Sequence, residues 1–193
     1  MNAPLTVLSK CNIRHCCVYK NDAKVFEAQE NDPPAFLAAL YRELRLDYRK
    51  FFKMDNLSKL AFLASEILLD GWIDRNVPHQ DIAVILFNRS ASLDIDATYQ
   101  QSIRDGDNFF PSPSEFVYTL PNIMTGEIAI RNRIFGETAC FISEQMDIAD
   151  LYNKVKDVMD DTVRQCICGW VEYFANHCEA ELWLFDGDNG ETL

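Results

Sequence analysis

The sequence predicts an α/β layer fold: a five-stranded, mostly parallel sheet with helices on both faces and an N-terminal hairpin. Three observations carry that expectation. Asp81–Asn88 (DIAVILFN) is a continuous apolar run between polar residues, the pattern of a parallel strand covered on both faces. Segments of helical period alternate with strand-like runs along the chain, which is the order of an α/β sheet. No internal repeat is detectable, and 193 residues suit one domain, residues 1–193, able to bury roughly 70% of its unfolded surface.

Taken in order, Cys11–Tyr19 and Val25–Ala28 are β-rich runs flanking Lys20-Asn21-Asp22, which reads as a hairpin turn. Asp32-Pro33-Pro34 then starts a helix through Leu44, because a proline in the first turn forfeits an N–H that has no intrahelical partner. Asp55 or Asn56 caps a second helix with apolar positions Leu57, Leu60, Ala61, Ala64, Ile67 and Leu68, and Gly71 follows its end. After the Asp81–Asn88 strand comes a helix over Ile95–Ile103, then a turn at Asp105–Asn108. Asp147 caps a further helix running from Ile148 to about Arg164. Cys166–Glu172 and Glu181–Phe185 are the last strands, and Asp186–Gly190 is a polar tail too short for a calcium loop.

Composition is that of an ordinary globular protein, 48% hydrophobic and 25% charged. The net charge of −12 argues against nucleic acid, whose phosphates need clustered Lys and Arg. Basic residues concentrate at Arg42, Arg45, Arg49, Lys50 and Lys53, against Glu43 and Asp47, as a solvated helix face or a docking patch. No apolar run reaches the ~18 residues of a membrane span. With no basic segment preceding an apolar one at the N-terminus, the expectation is a soluble, cytoplasmic protein. Seven cysteines, none in a Cys-x-x-Cys pair and none with histidine at ligand spacing, read as reduced thiols, mostly in the core; no metal or cofactor is expected.

The chain is organised around Ser112–Gln145. An apolar-patterned segment interrupted by Pro121 and Gly126 leads to a strand, Glu137–Ser143, ending at Ser143-Glu144-Gln145. A strand end meeting a helix N-terminus is where α/β enzymes place a nucleophile. The pieces SPSEFVYTLPN, TGEIAIRN and Gly136 resemble the segment before the active-site cysteine of β-ketoacyl-acyl carrier protein synthases, condensing enzymes of the thiolase-like superfamily. Met54-Asp55 followed by Leu60-Ala61 and Ala64-Ser65 resembles the family's helix before its second strand. The resemblance covers roughly Tyr48–Phe185 and implies an N-terminal, thiolase-like half. In the family the nucleophilic cysteine stands nine residues beyond the glycine; here that residue is Gln145.

What the resemblance implies is a condensing-enzyme homologue without its nucleophile. A Gln amide cannot form a thioester, and Glu144 and Asp147 would oppose ionisation of a thiol at that position. The family's two catalytic histidines come from a second half, and His15, His79 and His177 stand in no such motif. No residue is therefore assigned a catalytic role. Cys140, the rival thiol, reads as a strand residue buried on both faces and inert, and Cys178 beside His177 lacks the geometry of a dyad. The same segment in the family lines an acyl tunnel, which makes Phe109, Phe110, Phe116 and Met124 pocket candidates beside ordinary core packing. Trp170 joins them in place of one glycine of a Gly-Gly pair. Family subunits pair antiparallel through the strand before the nucleophile, here Glu137, Thr138, Ala139, Cys140, Phe141, Ile142 and Ser143.

Three functions follow as expectations. The first is a truncated, non-catalytic subunit that pairs with itself or with a full-length ketosynthase, as chain-length factors do, in fatty-acid, polyketide or aryl-polyene-type synthesis, with an acyl carrier protein as a further partner. The second is an acyl transferase or decarboxylase completed by a partner's histidines. The third is an acyl-chain binding module.

Overall fold

A computed structural model of the chain describes residues 5–28, 32–104, 106, 111–175 and 177–187. Its N-terminal region is a three-stranded meander, β1 (Thr6–Arg14), β2 (Cys17–Lys20) and β3 (Ala23–Glu27), where a single hairpin was expected. The second turn, Asn21-Asp22, is the one the sequence signals. The first lies inside the apolar run, at His15 and Cys16, whose φ values of 49° and 55° match those of a two-residue hairpin turn. His15 is of a type that tolerates positive φ, but Cys16 is not and neither is a usual turn residue, so composition does not mark the break.

Helix α1 (Pro33–Glu43) begins where expected, with the Asp32 carboxylate accepting the Ala35 N–H at 3.0 Å. A short 3-10 turn, Arg49–Lys53, leads to α2 (Asn56–Leu68), capped by Asp55 accepting from Ser58 N at 3.1 Å. Then follow β4 (Ile82–Asn88), α3 (Leu93–Ile103), α4 (Pro113–Tyr118), α5 (Ile123–Asn132), β5 (Thr138–Ile142), α6 (Ile148–Val158), β6 (Gln165–Phe174) and β7 (His177–Asp186). Pro121 separates α4 from α5, whereas Gly126 lies within α5 without interrupting it. Helix α6 ends six residues earlier than predicted. The Asp160 carboxylate draws in the N–H groups of Thr162 (2.7 Å) and Val163 (2.8 Å), a local turn that competes with helix.

The α/β class holds, but the sheet has seven strands in the order β3-β2-β1-β7-β6-β4-β5. Among the described strands, β4 pairs in parallel with β5 and β6, and the other four pairings are antiparallel. The expected parallel character fails at two points. β6 and β7 join as a tight hairpin through Ala175, at φ 49°, and the meander adds to the sheet through β1 on β7. One core lies between the sheet and α1, α2 and α5; a second, smaller one lies under α6. Strand β4 is buried along its whole length between them, as its unbroken apolar run predicts. Among the described residues, no helix is long and apolar enough to cross a membrane.

Two buried acids tie α5 to α2 and the 3-10 turn. Glu66 of α2 accepts from Arg131 Nε at 2.9 Å and lies 3.1 Å from Arg75 Nη2. Glu127 of α5 pairs with Lys50 at 2.8 Å and accepts from the Tyr118 hydroxyl at 3.1 Å. Arg131 also lies over the Tyr48 ring, 5.0 Å from its centroid. These contacts fix the helix that delivers the chain to β5.

Glycine is required where backbones meet. A Cβ at Gly136, just before β5, would overlap the Ile82 carbonyl oxygen, and one at Gly169, in β6, would overlap the Glu181 carbonyl oxygen on β7. At Gly126 a Cβ would meet nothing within 4 Å. Gly169→Ala should therefore cost stability by about 1–3 kcal/mol through overpacking, read as a lower urea midpoint, while Gly126→Ala should be neutral or mildly stabilising.

Candidate functional site

The corner singled out by the sequence lies at the end of β5, the last strand of the sheet on that side. The Ser143 N–H still donates to the Asn88 carbonyl at 2.9 Å, so the strand is held one residue past its formal end. The chain then bends through Glu144 and Gln145, both exposed, before α6 starts. The Ser143 hydroxyl donates to the Gln145 carbonyl at 3.0 Å and closes the bend. Met146 lines a notch of about 110 Å³ beside Trp170, Asn12 and Glu179.

The α6 N-terminus does not face an open reaction centre. The Asp147 carboxylate accepts the N–H groups of Ala149 (2.8 Å) and Asp150 (3.3 Å). The positive end of the helix dipole is thereby matched by the chain's own anion. A side chain at position 145 stands upstream of that cap, in water.

Cys140 is only half-buried, where burial on both faces was expected, because β5 has a neighbour strand on one side only. Its thiol packs against the larger core and desolvation pushes it up to about 11, so it is protonated at neutral pH. Cys178 is pushed up to about 12, first by burial and then by the neighbouring Cys16 and Glu179. His177 is exposed, with Nε2 3.2 Å from a Glu179 carboxylate oxygen, whereas Cys178 packs into the core.

Among the described residues, the pocket candidates do not meet. Met124 is wholly buried in the larger core, and Trp170 lies in the core under α6, donating from Nε1 to Glu179 at 3.0 Å. Phe116 is on the surface with its ring 5.6 Å from that of Tyr99. Phe109 and Phe110 lie outside the described residues.

Two buried side chains escaped the sequence reading. Glu172, near the end of β6, accepts the Arg89 N–H at 2.8 Å and the Ser90 N–H at 3.2 Å, and so holds the turn after β4. Asn88, wholly buried, donates to the Ala91 carbonyl at 3.0 Å. Among the described residues, their other side-chain oxygens, Glu172 Oε1 and Asn88 Oδ1, have no hydrogen-bond donor. The available signal was a polar residue closing each of two apolar strands. Among the described residues, no group of three or more His, Cys, Asp or Glu is placed to hold a metal ion.

The strand edge beside this corner is the more distinctive feature. Ile142 is 54% exposed on β5, and Ile130 and Phe135, in and just after the preceding helix, are 62% and 67% exposed. An apolar strand with unpaired backbone on one side is a surface that pairs.

No family model and no curated protein matches the sequence. Solved structures do. The chain is similar to one from the complex of the ketosynthase ApeO with its chain length factor ApeC from Xenorhabdus doucetiae, with a TM-score of 0.63 and 12% identity over 98% of this chain and 81% of that one. It is similar to the type II polyketide ketosynthase AntDE in complex with its acyl-carrier protein AntF (TM-score 0.62, 11% identity, 97% of this chain and 63% of that one). A β-ketoacyl synthase from Burkholderia phymatum STM815 gives 0.64 and 10% over 97% of this chain and 60% of that one. The chain thus has the thiolase-like fold of ketosynthases and chain length factors, and spans about three-fifths of the latter two chains.

The raised thiols give a signed expectation. Below the ordinary thiol value of 9.0, burial of neutral Cys140 and Cys178 has no proton-linked cost. As pH rises towards 11 and 12 the unfolded chain releases protons that the folded one retains, so stability should fall over that window. At neutral pH both thiols should react with iodoacetamide at least tenfold more slowly in the native chain than in concentrated urea, read residue by residue by peptide mass.

Proposed function

We propose that the chain is a non-catalytic, ketosynthase-like subunit that pairs through β5 with a second chain of the same fold, acting as a chain-length-factor-like partner in fatty-acid, polyketide or aryl-polyene-type synthesis. The observation that carries this reading is the charge-free edge strand Thr138–Ile142, with no strand beyond it among the described residues, beside a corner that holds an exposed amide, Gln145. Pairing there would cover Ile142 and satisfy the strand's outward backbone groups. Support also comes from the neighbours, one of which is a ketosynthase with its chain length factor.

The corner's chemistry supports a non-catalytic role. Gln145 offers no nucleophile, Asp147 occupies the helix terminus, and the Cys140 thiol is held protonated by burial. A carrier protein is the second proposed partner. Arg42, Arg45, Arg49 and Lys53 are exposed in one stretch of this acidic chain, with Glu43 and Asp47 among them and Phe52, 67% exposed, in the same stretch. A neighbouring ketosynthase is seen with its acyl-carrier protein, whose docking such a surface would suit.

Co-expression with a full-length ketosynthase from the same genome tests the pairing. The expected result is a stable 1:1 complex, lost on Cys140→Pro, since a proline there removes an outward N–H while sparing the bonds to β4. Incubation of the pair with acyl and malonyl thioesters should leave this chain's mass unchanged. Acylation of this chain, or carbon dioxide release that disappears with Gln145→Ala, would replace the reading with an acyl transferase or decarboxylase.

A further inference from the structure

We infer that β5 is charged to refuse a second copy of this chain and to accept a ketosynthase-fold partner whose edge strand is flanked by Lys or Arg. The inference rests on the reading of β5 as the pairing edge and specifies what sits across it.

The two edges of the sheet differ. At the far edge, β3 carries Lys24 and Glu27 as an ion pair at 2.6 Å, and its pairing with β2 has a register shift between Val18 and Tyr19; both features blunt an edge. β5 has no charged residue from Thr138 to Ile142. Its hydrogen bonds to β4 define which groups are free. Val84 N–H donates to the Glu137 carbonyl at 2.8 Å and Ser143 N–H to Asn88 at 2.9 Å, so odd-numbered residues bond inward. By strand alternation the N–H and C=O of Thr138, Cys140 and Ile142 face outward.

Carboxylates ring this open strand. Exposed Glu137 precedes it, exposed Glu144 follows it, and Asp147 lies at the start of α6. Glu137 and Asp157 also line a notch of about 180 Å³ against Phe141. Lys154 shares that notch but is engaged, 3.6 Å from Asp157 and 5.5 Å from the Phe141 ring centroid. On the preceding helix Arg131 is bound by Glu66; Arg133, at its C-cap, donates to the Asn76 carbonyl and keeps its charge.

Two-fold pairing of β5 with itself has one register that uses all three outward residues. Cys140 faces Cys140 of the second copy and Thr138 faces Ile142. In that register Glu137 of one copy lies opposite Ser143 of the other, whose Glu144 follows on the bend, so the two carboxylates gather at one end of the seam without facing each other across it. The same like-charge approach repeats at the opposite end, between chains that each carry a net charge of −12. A partner with basic residues at those rungs turns each repulsion into attraction.

The test uses this chain as its own probe. Glu137→Lys/Glu144→Lys changes two exposed residues and should leave the melting temperature unaltered. By sedimentation velocity at low salt, neither the wild type nor the double variant should self-associate at micromolar concentration. Their equimolar mixture should form a 1:1 dimer at least tenfold tighter than either self-association, weakening at least tenfold in high salt. Hydrogen exchange should show new protection of the Thr138, Cys140 and Ile142 amides in the mixture. A salt-insensitive wild-type dimer protected at these amides would overturn the charge selection and leave β5 as the seam. No association in the mixture would also overturn it, and the seam would then be judged by the ketosynthase complex and its Cys140→Pro loss. Association without protection of those amides would overturn the seam itself.

Discussion

The fold depends on the clamp that Glu66 makes between α2 and its neighbours. A carboxylate 4% exposed is tolerated there only because Arg131 and Arg75 approach it from two sides. Removing one partner of a buried pair costs roughly 3–5 kcal/mol, a large fraction of a domain's net stability. Arg131 belongs to α5, which leads directly through Gly136 into β5. The clamp therefore decides where the edge strand is laid down, and the Gly136 approach to the Ile82 carbonyl leaves it no room to drift. Packing, ion pairing and chain direction converge on one short strand.

Local signals in the sequence were informative where the physics is local. Asp147 caps the helix it was expected to cap, Asp55 is the one of the Asp55/Asn56 alternatives that caps α2, and Asp32 caps the helix whose start was expected from its prolines, because a carboxylate two or three residues ahead of free N–H groups needs no tertiary help. β4 was legible because a strand covered on both faces has no polar side to disguise it. The turn at His15-Cys16 and the hairpin at Ala175 were hidden, since residues with side chains were pressed into positive φ by the strands they join. Those two turns account for most of the difference between a largely parallel sheet and the mixed one observed.

The candidate site was legible in position and not in environment. Counting from Gly136 led to the bend between β5 and α6, yet whether position 145 lies in a cleft or in water depends on what covers the corner. Cys140 looked buried because its neighbours are apolar; the edge location that half-exposes it is set by topology. Glu172 and Asn88 escaped notice for the same reason, as their partners, the Arg89–Ala91 backbone, come together only when β6 lies beside β4.

The anion that satisfies the start of α6 has a wider consequence. A helix terminus left bare would constrain whatever residue stood before it, favouring groups able to bear negative charge. With Asp147 already meeting that demand, position 145 carries no electrostatic obligation and sits on a solvated bend. Substitution at position 145 is therefore limited by the bend's geometry and not by the helix dipole, while the neighbouring edge is bound by strand register.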